Sequence, residues 1–312
     1  MNRGQGNDKI NDIMKLNEYI EITNVMKQNL LVSFSGGRTS AYMTKFIIDN
    51  WSEMFNIIVV FANTGREFEE TLKFVNECDK RWNFNTVWIE AITDEKHGNG
   101  VRAKVVNFET ASRNGEPFEA MIKKHGIPNV RMAICTRELK RYAIKSYAKQ
   151  IGFKNYKTAI GIRADEIDRI NPNHAKKGFI YPLVSAGTTK SDVNKFWINN
   201  DFDLQLKGYE GNCDFCFKKS LRKLLTLTIE QPKKLEWWQE MEKKYSDYVP
   251  ITRKAQNKKT TFFRNRLTSS DLIELSKQEF EKAKDDSKYV ETQLSLFDLD
   301  ISNGCIESCE VF

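Results

Sequence analysis

Apolar and polar positions alternate along this chain in two periods. Short apolar runs at residues 30–32, 56–62, 85–90 and 156–160 have the length and β-branched content of buried strands. Between them lie longer stretches with apolar residues three and four apart. Residues 41–51, 67–81, Glu116–His125 and a segment ending at Gln150 read as helices. Strand and helix in turn predict an α/β protein with a parallel, Rossmann-like sheet, right-handed crossovers and flanking helices. Residues 8–28 carry a rough helical period, and residues 93–115 are polar, broken by glycines and unassigned. Tyr181-Pro182-Leu183 reads as extended, and residues 191–199 as a helix behind a Thr/Ser cap. Two helices divided at Pro232 form a helical C-terminal region, and beyond about Tyr289 no period is sustained.

The pattern divides the chain into a helical lead-in (1–28), a nucleotide-binding domain (29–205), a cysteine knuckle with a basic helical region (206–288) and a tail (289–312). With 312 residues, 40% hydrophobic and 29% charged, a packed protein is expected. No apolar run approaches the ~20 residues of a membrane span, and the first twelve residues have no apolar signal-peptide core. A cytoplasmic location without membrane contact is the expectation. The six cysteines then suggest metal, cluster or thiol chemistry rather than disulfides.

The net charge of +7 is unevenly spread. Residues 271–312 hold eleven acidic and four basic side chains, whereas residues 218–266 hold fourteen basic and five acidic ones. That basic segment is a candidate nucleic-acid footprint, or a solvated helical surface.

The first strand runs into Ser33-Phe34-Ser35-Gly36-Gly37-Arg38-Thr39-Ser40. Strand, glycine turn and helix start suit a phosphate: glycines allow close backbone approach, and unpaired N–H groups face the anion. The stretch lacks the Lys-Ser/Thr of the P-loop and the G-x-G-x-x-G of dinucleotide folds. Ligands in such sheets sit beyond the carboxyl ends of the strands, which puts Asn63, Thr64 and Gly65 beside the loop and turns the segment from Gly161 to Glu166 towards it.

The ordered blocks SFSGGRTSA, FANTGREFEETLKFV, CTRELK, GIRADE, YPL and GNCDFCFKKS resemble the phosphoadenosine phosphosulfate (PAPS) reductase family, over residues 30–225. The family belongs to the adenine-nucleotide α-hydrolase-like (PP-loop ATP pyrophosphatase) superfamily, and the likeness is to its short phage and mobile-element members. The resemblance implies ATP, or PAPS, bound with Mg2+ by Ser33, Ser35, Gly36, Gly37, Arg38, Thr39, Ser40, Asn63, Thr64, Gly65 and Gly161. It implies catalytic roles for Arg38, Arg137, Lys140, Arg163 and Asp165. Cys135, Cys213 and Cys216 are the implied metal ligands, for a [4Fe–4S] cluster or for Zn2+ with His174 or water as fourth ligand. Lys218 and Lys219 at a helix start suggest a nearby anion. Two departures stand out: Thr39 replaces the Asp of many ATP pyrophosphatase loops, and the Glu-Cys-Gly-(Leu/Ile)-His block of sulfate-assimilation reductases has no counterpart.

Three functions follow as expectations. The first is an ATP-dependent enzyme that adenylates an acceptor, nucleic acid in the first place, releases pyrophosphate and transfers sulfur from the cluster. The second is a PAPS or APS reductase acting on a small nucleotide. The third is a non-catalytic nucleotide- and nucleic-acid-binding module. Gln293-Leu294-Ser295-Leu296-Phe297 resembles the bacterial sliding-clamp-binding pentapeptide, which implies a clamp as partner.

Overall fold

The computed structural model describes residues 27–94, 96, 98–211, 213–250 and 259–288. The lead-in up to residue 26, the pentapeptide 293–297, Cys305 and Cys309 lie outside them.

Strands β1 (Gln28–Ser33), β2 (Phe55–Asn63), β3 (Val87–Thr93), β4 (Val101–Val106), β5 (Tyr156–Ala159) and β6 (Phe179–Ile180) form one sheet in the order β4-β3-β2-β1-β5-β6. All neighbours are parallel except β3 and β4. The central strand β1 is apolar on both faces, and Leu30, Leu31 and Val32 are fully buried, as a parallel strand covered by helices requires. The chain leaves β1 towards β2 on one side and returns as β5 on the other. The crevice between the carboxyl ends of β1 and β5 is therefore the topological switch point.

Helices α1 (Arg38–Trp51), α2 (Glu69–Trp82), α3 (Glu116–His125) and α4 (Ala143–Gln150) connect the strands, and a π-helix (Thr136–Tyr142) leads into α4. Two short helices, α5 (His174–Lys177) and α6 (Pro182–Ser185), flank β6. Helix α7 (Lys190–Ile198) starts behind Thr189, whose hydroxyl accepts from the Asp192 N–H. The C-terminal region supplies α8 (Leu221–Glu230), α9 (Pro232–Tyr245) and α10 (Ser269–Ser276). Pro232 occupies the first turn of α9, where its missing N–H is harmless. The C-terminal helices share the core of the sheet domain. Trp238 of α9 is wholly buried between Phe118 of α3 at 5.5 Å and Phe262 at 4.7 Å between ring centroids, edge-on contacts that favour aromatic pairs.

The structure corrects one sequence reading and refines two. The unassigned stretch 93–115 contains β4, an antiparallel edge strand burying Val101, Ala103 and Val106 and exposing Arg102, Lys104 and Val105. The extended reading of Tyr181-Pro182-Leu183 gives way to α6, because a proline at a first helical position is preset for a helix. The strand there is the preceding pair, Phe179–Ile180. The segment holding Arg137 and Lys140 enters its helix through a π turn, a form concentrated at functional sites. No helix of the described residues is long and apolar enough to cross a membrane.

Candidate nucleotide site

The loop after β1 is ordered by one hydroxyl. Ser40 Oγ accepts the N–H of Ser35 at 3.2 Å and of Gly37 at 3.2 Å, lies 3.0 Å from Ser35 Oγ, and donates to the Gly37 carbonyl at 2.9 Å. Ser40 is 2% exposed, so its single side chain folds the turn from within. Gly36 has φ +80°, and a β-carbon there would lie 2.6 Å from Thr71 Cγ2 and 3.1 Å from Phe61. Both the backbone angle and the space demand glycine. Past Gly37 the chain enters α1, whose first N–H groups (Arg38, Thr39, Ser40) have no partner within the helix. They open at the switch point with the positive end of the helix dipole. Ser33 is buried at the foot of the loop.

The wall opposite comes from β5. A β-carbon on Gly161 would stand 3.3 Å from the Ser40 α-carbon, so this glycine lets the two loops meet. Arg163 then reaches across and donates from Nη1 to Thr39 Oγ1 at 3.3 Å. Its other face is held by both oxygens of Asp165, each at 3.0 Å, and by Glu166 at 3.2 Å. Glu166 also pairs with Arg169, and Asp165 accepts the Lys190 N–H at 3.1 Å. Burial alone would raise the Asp165 carboxyl, but the hydrogen bonds and charge of Arg163 and the Lys190 N–H hold it below the usual range. Asp165 and Glu166 thus fix a guanidinium over the loop.

Arg38 points elsewhere. It grips Asp203 at 2.6 and 2.9 Å and the Leu204 carbonyl at 2.5 Å, while Trp197 of α7 donates to the Arg38 carbonyl at 3.1 Å. This arginine anchors the start of α1 to the segment after α7.

On the β2 side, Asn63 and Thr64 are buried and build the rim. Asn63 donates to Glu90 at 2.7 Å and to the Ser112 carbonyl at 2.9 Å, and accepts the Gly65 N–H at 3.1 Å. Glu67 caps Thr64 through its N–H at 2.9 Å and its hydroxyl at 2.9 Å. Gly65 abuts Gly115 with no room for a side chain. Glu90, Glu67 and Ser112 were not singled out from the sequence. An acid among the last residues of a buried strand was the signal available for Glu90.

The cysteine knuckle docks on this rim. Cys213 bridges Glu67 in the backbone, the Asp214 N–H donates to the Arg66 carbonyl at 3.0 Å, and Cys213 Sγ lies 3.5 Å from Thr64 Oγ1. Arg66 pairs with Asp214, which also accepts from Trp238 at 2.8 Å, and the guanidinium lies 4.6 Å from the Trp237 ring centre. Lys219 is buried, with its ammonium on the carbonyls of Gly211 at 2.5 Å and Cys213 at 2.9 Å. Its charge closes the knuckle instead of meeting an external anion. Cys78 is a core thiol, pushed up by burial first and by Asp79 and Glu77 next.

Cys135, Cys213 and Cys216 are all buried, yet among the described residues no three His, Cys, Asp or Glu side chains are grouped to hold a metal ion. Thr39 offers a hydroxyl at the loop, and Asp165 and Glu166 are paired with Arg163 and Arg169. On the π-helix, Lys140 is buried and Arg137 is exposed beside Glu138, to which its Nε donates at 2.8 Å.

A glycine loop at the switch point of a largely parallel sheet, faced by a fixed guanidinium, places the chain among α/β proteins of Rossmann-like fold. The model of the phosphoadenosine phosphosulfate reductase domain matches residues 29–170. The uncharacterized nin region protein ORF290 of Escherichia phage lambda is 36% identical over 198 residues, 62% of this chain and 67% of that protein. The uncharacterized protein MJ0066 of Methanocaldococcus jannaschii is 24% identical over 232 residues, 71% of this chain and 43% of that protein. The chain thus spans about two-thirds of the first relative and less than half of the second. It belongs to the phosphoadenosine phosphosulfate reductase family and is similar to a phage-borne protein.

Proposed function

We propose that the protein binds ATP with its phosphates on residues 35–40 and transfers the adenylyl group to an acceptor, releasing pyrophosphate. The observation that carries this reading is the pairing of the Ser40-ordered loop with Arg163, two phosphate-directed elements 3.3 Å apart across the switch point at Thr39. An acceptor oxygen attacks the α-phosphorus, the bond to the bridging oxygen of the β-phosphate breaks, and the acceptor proton leaves to water. Loop N–H groups and the helix dipole hold the departing pyrophosphate. Arg163, already oriented by Asp165 and Glu166, meets the charge that develops on the transferring group. Each step is carried by the chain's own residues and the bound nucleotide.

The test offers ATP and PAPS separately to the purified full chain with candidate acceptors. Pyrophosphate and an adenylated acceptor from ATP are expected. Sulfite from PAPS, with no pyrophosphate from ATP, would replace this reading with a reductase, for which the Cys213 thiol beside Thr64 is the nearest feature.

A further inference from the structure

Among the described residues of the basic segment 218–266, several cations are engaged. Lys219 is buried, Lys234 lies over the Phe68 ring, and Arg222, Lys244 and Lys259 pair with Glu281, Glu240 and Asp247. A different surface carries open charge. Residues 131–150 contain five basic side chains besides the buried Lys140 and one acid, Glu138, which is also buried.

Arg137, Arg141, Lys145 and Lys149 recur every four residues along the π-helix and α4, a spacing that stacks side chains on one face. Arg137, Lys145 and Lys149 are exposed and Arg141 is half-buried. Among the described residues no carboxylate pairs with Arg141, Lys145 or Lys149. Tyr142, 38% exposed, sits among them with the guanidinium carbons of Arg141 and Arg137 at 5.2 and 5.9 Å from its ring centre. At about 1.5 Å per residue the stripe is on the order of 18 Å long.

Its direction follows from topology. Helix α4 feeds β5, which runs parallel to β1, so the helix ends at the amino edge of the sheet and the π-helix begins at the carboxyl edge. The stripe therefore starts on the rim where the nucleotide site opens and leads away from it.

We infer that this stripe is the seat of a single-stranded nucleic acid. A row of cations tracks phosphates, and an exposed tyrosine flanked by guanidiniums supplies stacking surface for bases, the combination that single strands use. Binding to the stripe stands independently of the proposed chemistry. That the strand is also the acceptor, delivering one end to the site, rests on the adenylyl-transfer reading.

The experiment is fluorescence anisotropy of the full chain with a labelled oligothymidylate of about 20 nucleotides over a salt series. Lys145→Glu with Lys149→Glu is expected to weaken binding about tenfold or more. The same double variant should flatten the log–log salt slope by about 1.4, since two phosphates of a single strand are no longer neutralised. Tyr142→Leu is expected to weaken binding severalfold at unchanged salt slope. Lys233→Glu with Lys243→Glu, on exposed positions of α9, is expected to stay within twofold. Equal loss in both double variants, no loss in the first, or tighter binding of a duplex would overturn the inference. Calorimetry with ATP on the same samples separates the two readings. Strand binding by a protein that does not bind ATP would uphold the stripe and remove the acceptor role.

Discussion

Ser40 Oγ lies 3.0 Å from Ser35 Oγ and accepts two backbone N–H groups of the same turn. One side chain therefore organises a whole anion cradle. Ser40→Ala leaves both N–H groups without their acceptor, at a cost of about 1–3 kcal/mol each where water cannot replace it. The expected result is a lower midpoint in denaturant and a loss of ATP affinity of about tenfold or more, read by calorimetry.

Gly36 is a second fixed point of the loop. Gly36→Ala forces a β-carbon to 2.6 Å from Thr71 Cγ2 at φ +80°. A destabilisation of about 1–3 kcal/mol is expected. Adding Thr71→Ser removes the colliding methyl and should recover part of it, the part due to space rather than backbone angle. Chemical denaturation of the two variants measures the split.

Arg38 and Asp203 are expected to act as one structural unit. They are largely buried and bonded through two nitrogens. Arg38→Ala and Asp203→Ala should destabilise to a similar degree, and the double variant by less than their sum, with a coupling of about 0.5–3 kcal/mol. A purely catalytic Arg38 would lower turnover without this coupling.

Asp214→Ala strips the buried Arg66 of its carboxylate and Trp238 of its acceptor. Breaking a buried pair from one side costs about 3–5 kcal/mol. The knuckle should then detach from the β2 rim, which faster hydrogen exchange at the Asp214 and Cys216 amides would report.

The Asp165 carboxyl is held below its ordinary value in the folded protein, mainly by Arg163 acting against burial. Its contribution is complete above the unfolded value of about 3.9 and is lost as pH falls through the lower folded value. Stability should therefore decline more steeply with acid in the native chain than in Asp165→Asn. Urea unfolding from about pH 5 to about pH 2.5 gives the comparison.

Much of this geometry was legible in the residues themselves. The run ending at Ser33, the glycine pair and the following helical period announce the loop. The parallel strands around it follow from uninterrupted apolar stretches. What stayed hidden depended on neighbours distant in sequence. Val101, Ala103 and Val106 form a strand because β3 offers them an edge, and their own alternation is short and hemmed in by glycines and polar residues. β6 is two residues long and exists through pairing with β5. Arg38 lies in the loop motif, but its direction is set by Asp203, 165 positions away. Lys219 at a helix start suggests a bound anion because nothing local shows that the carbonyls of Gly211 and Cys213 converge on it. The exposed row on the π-helix and α4 is likewise overshadowed by a longer basic segment further along the chain.

The central claim is that residues 35–40 and Arg163 form one phosphate site. Its most direct test is isothermal titration of ATP into the native chain, Ser40→Ala and Arg163→Gln. The account predicts saturable one-site binding to the native protein, with affinity reduced about tenfold or more in each variant. Unchanged affinity in both variants, or no binding of ATP to the native chain, would contradict it.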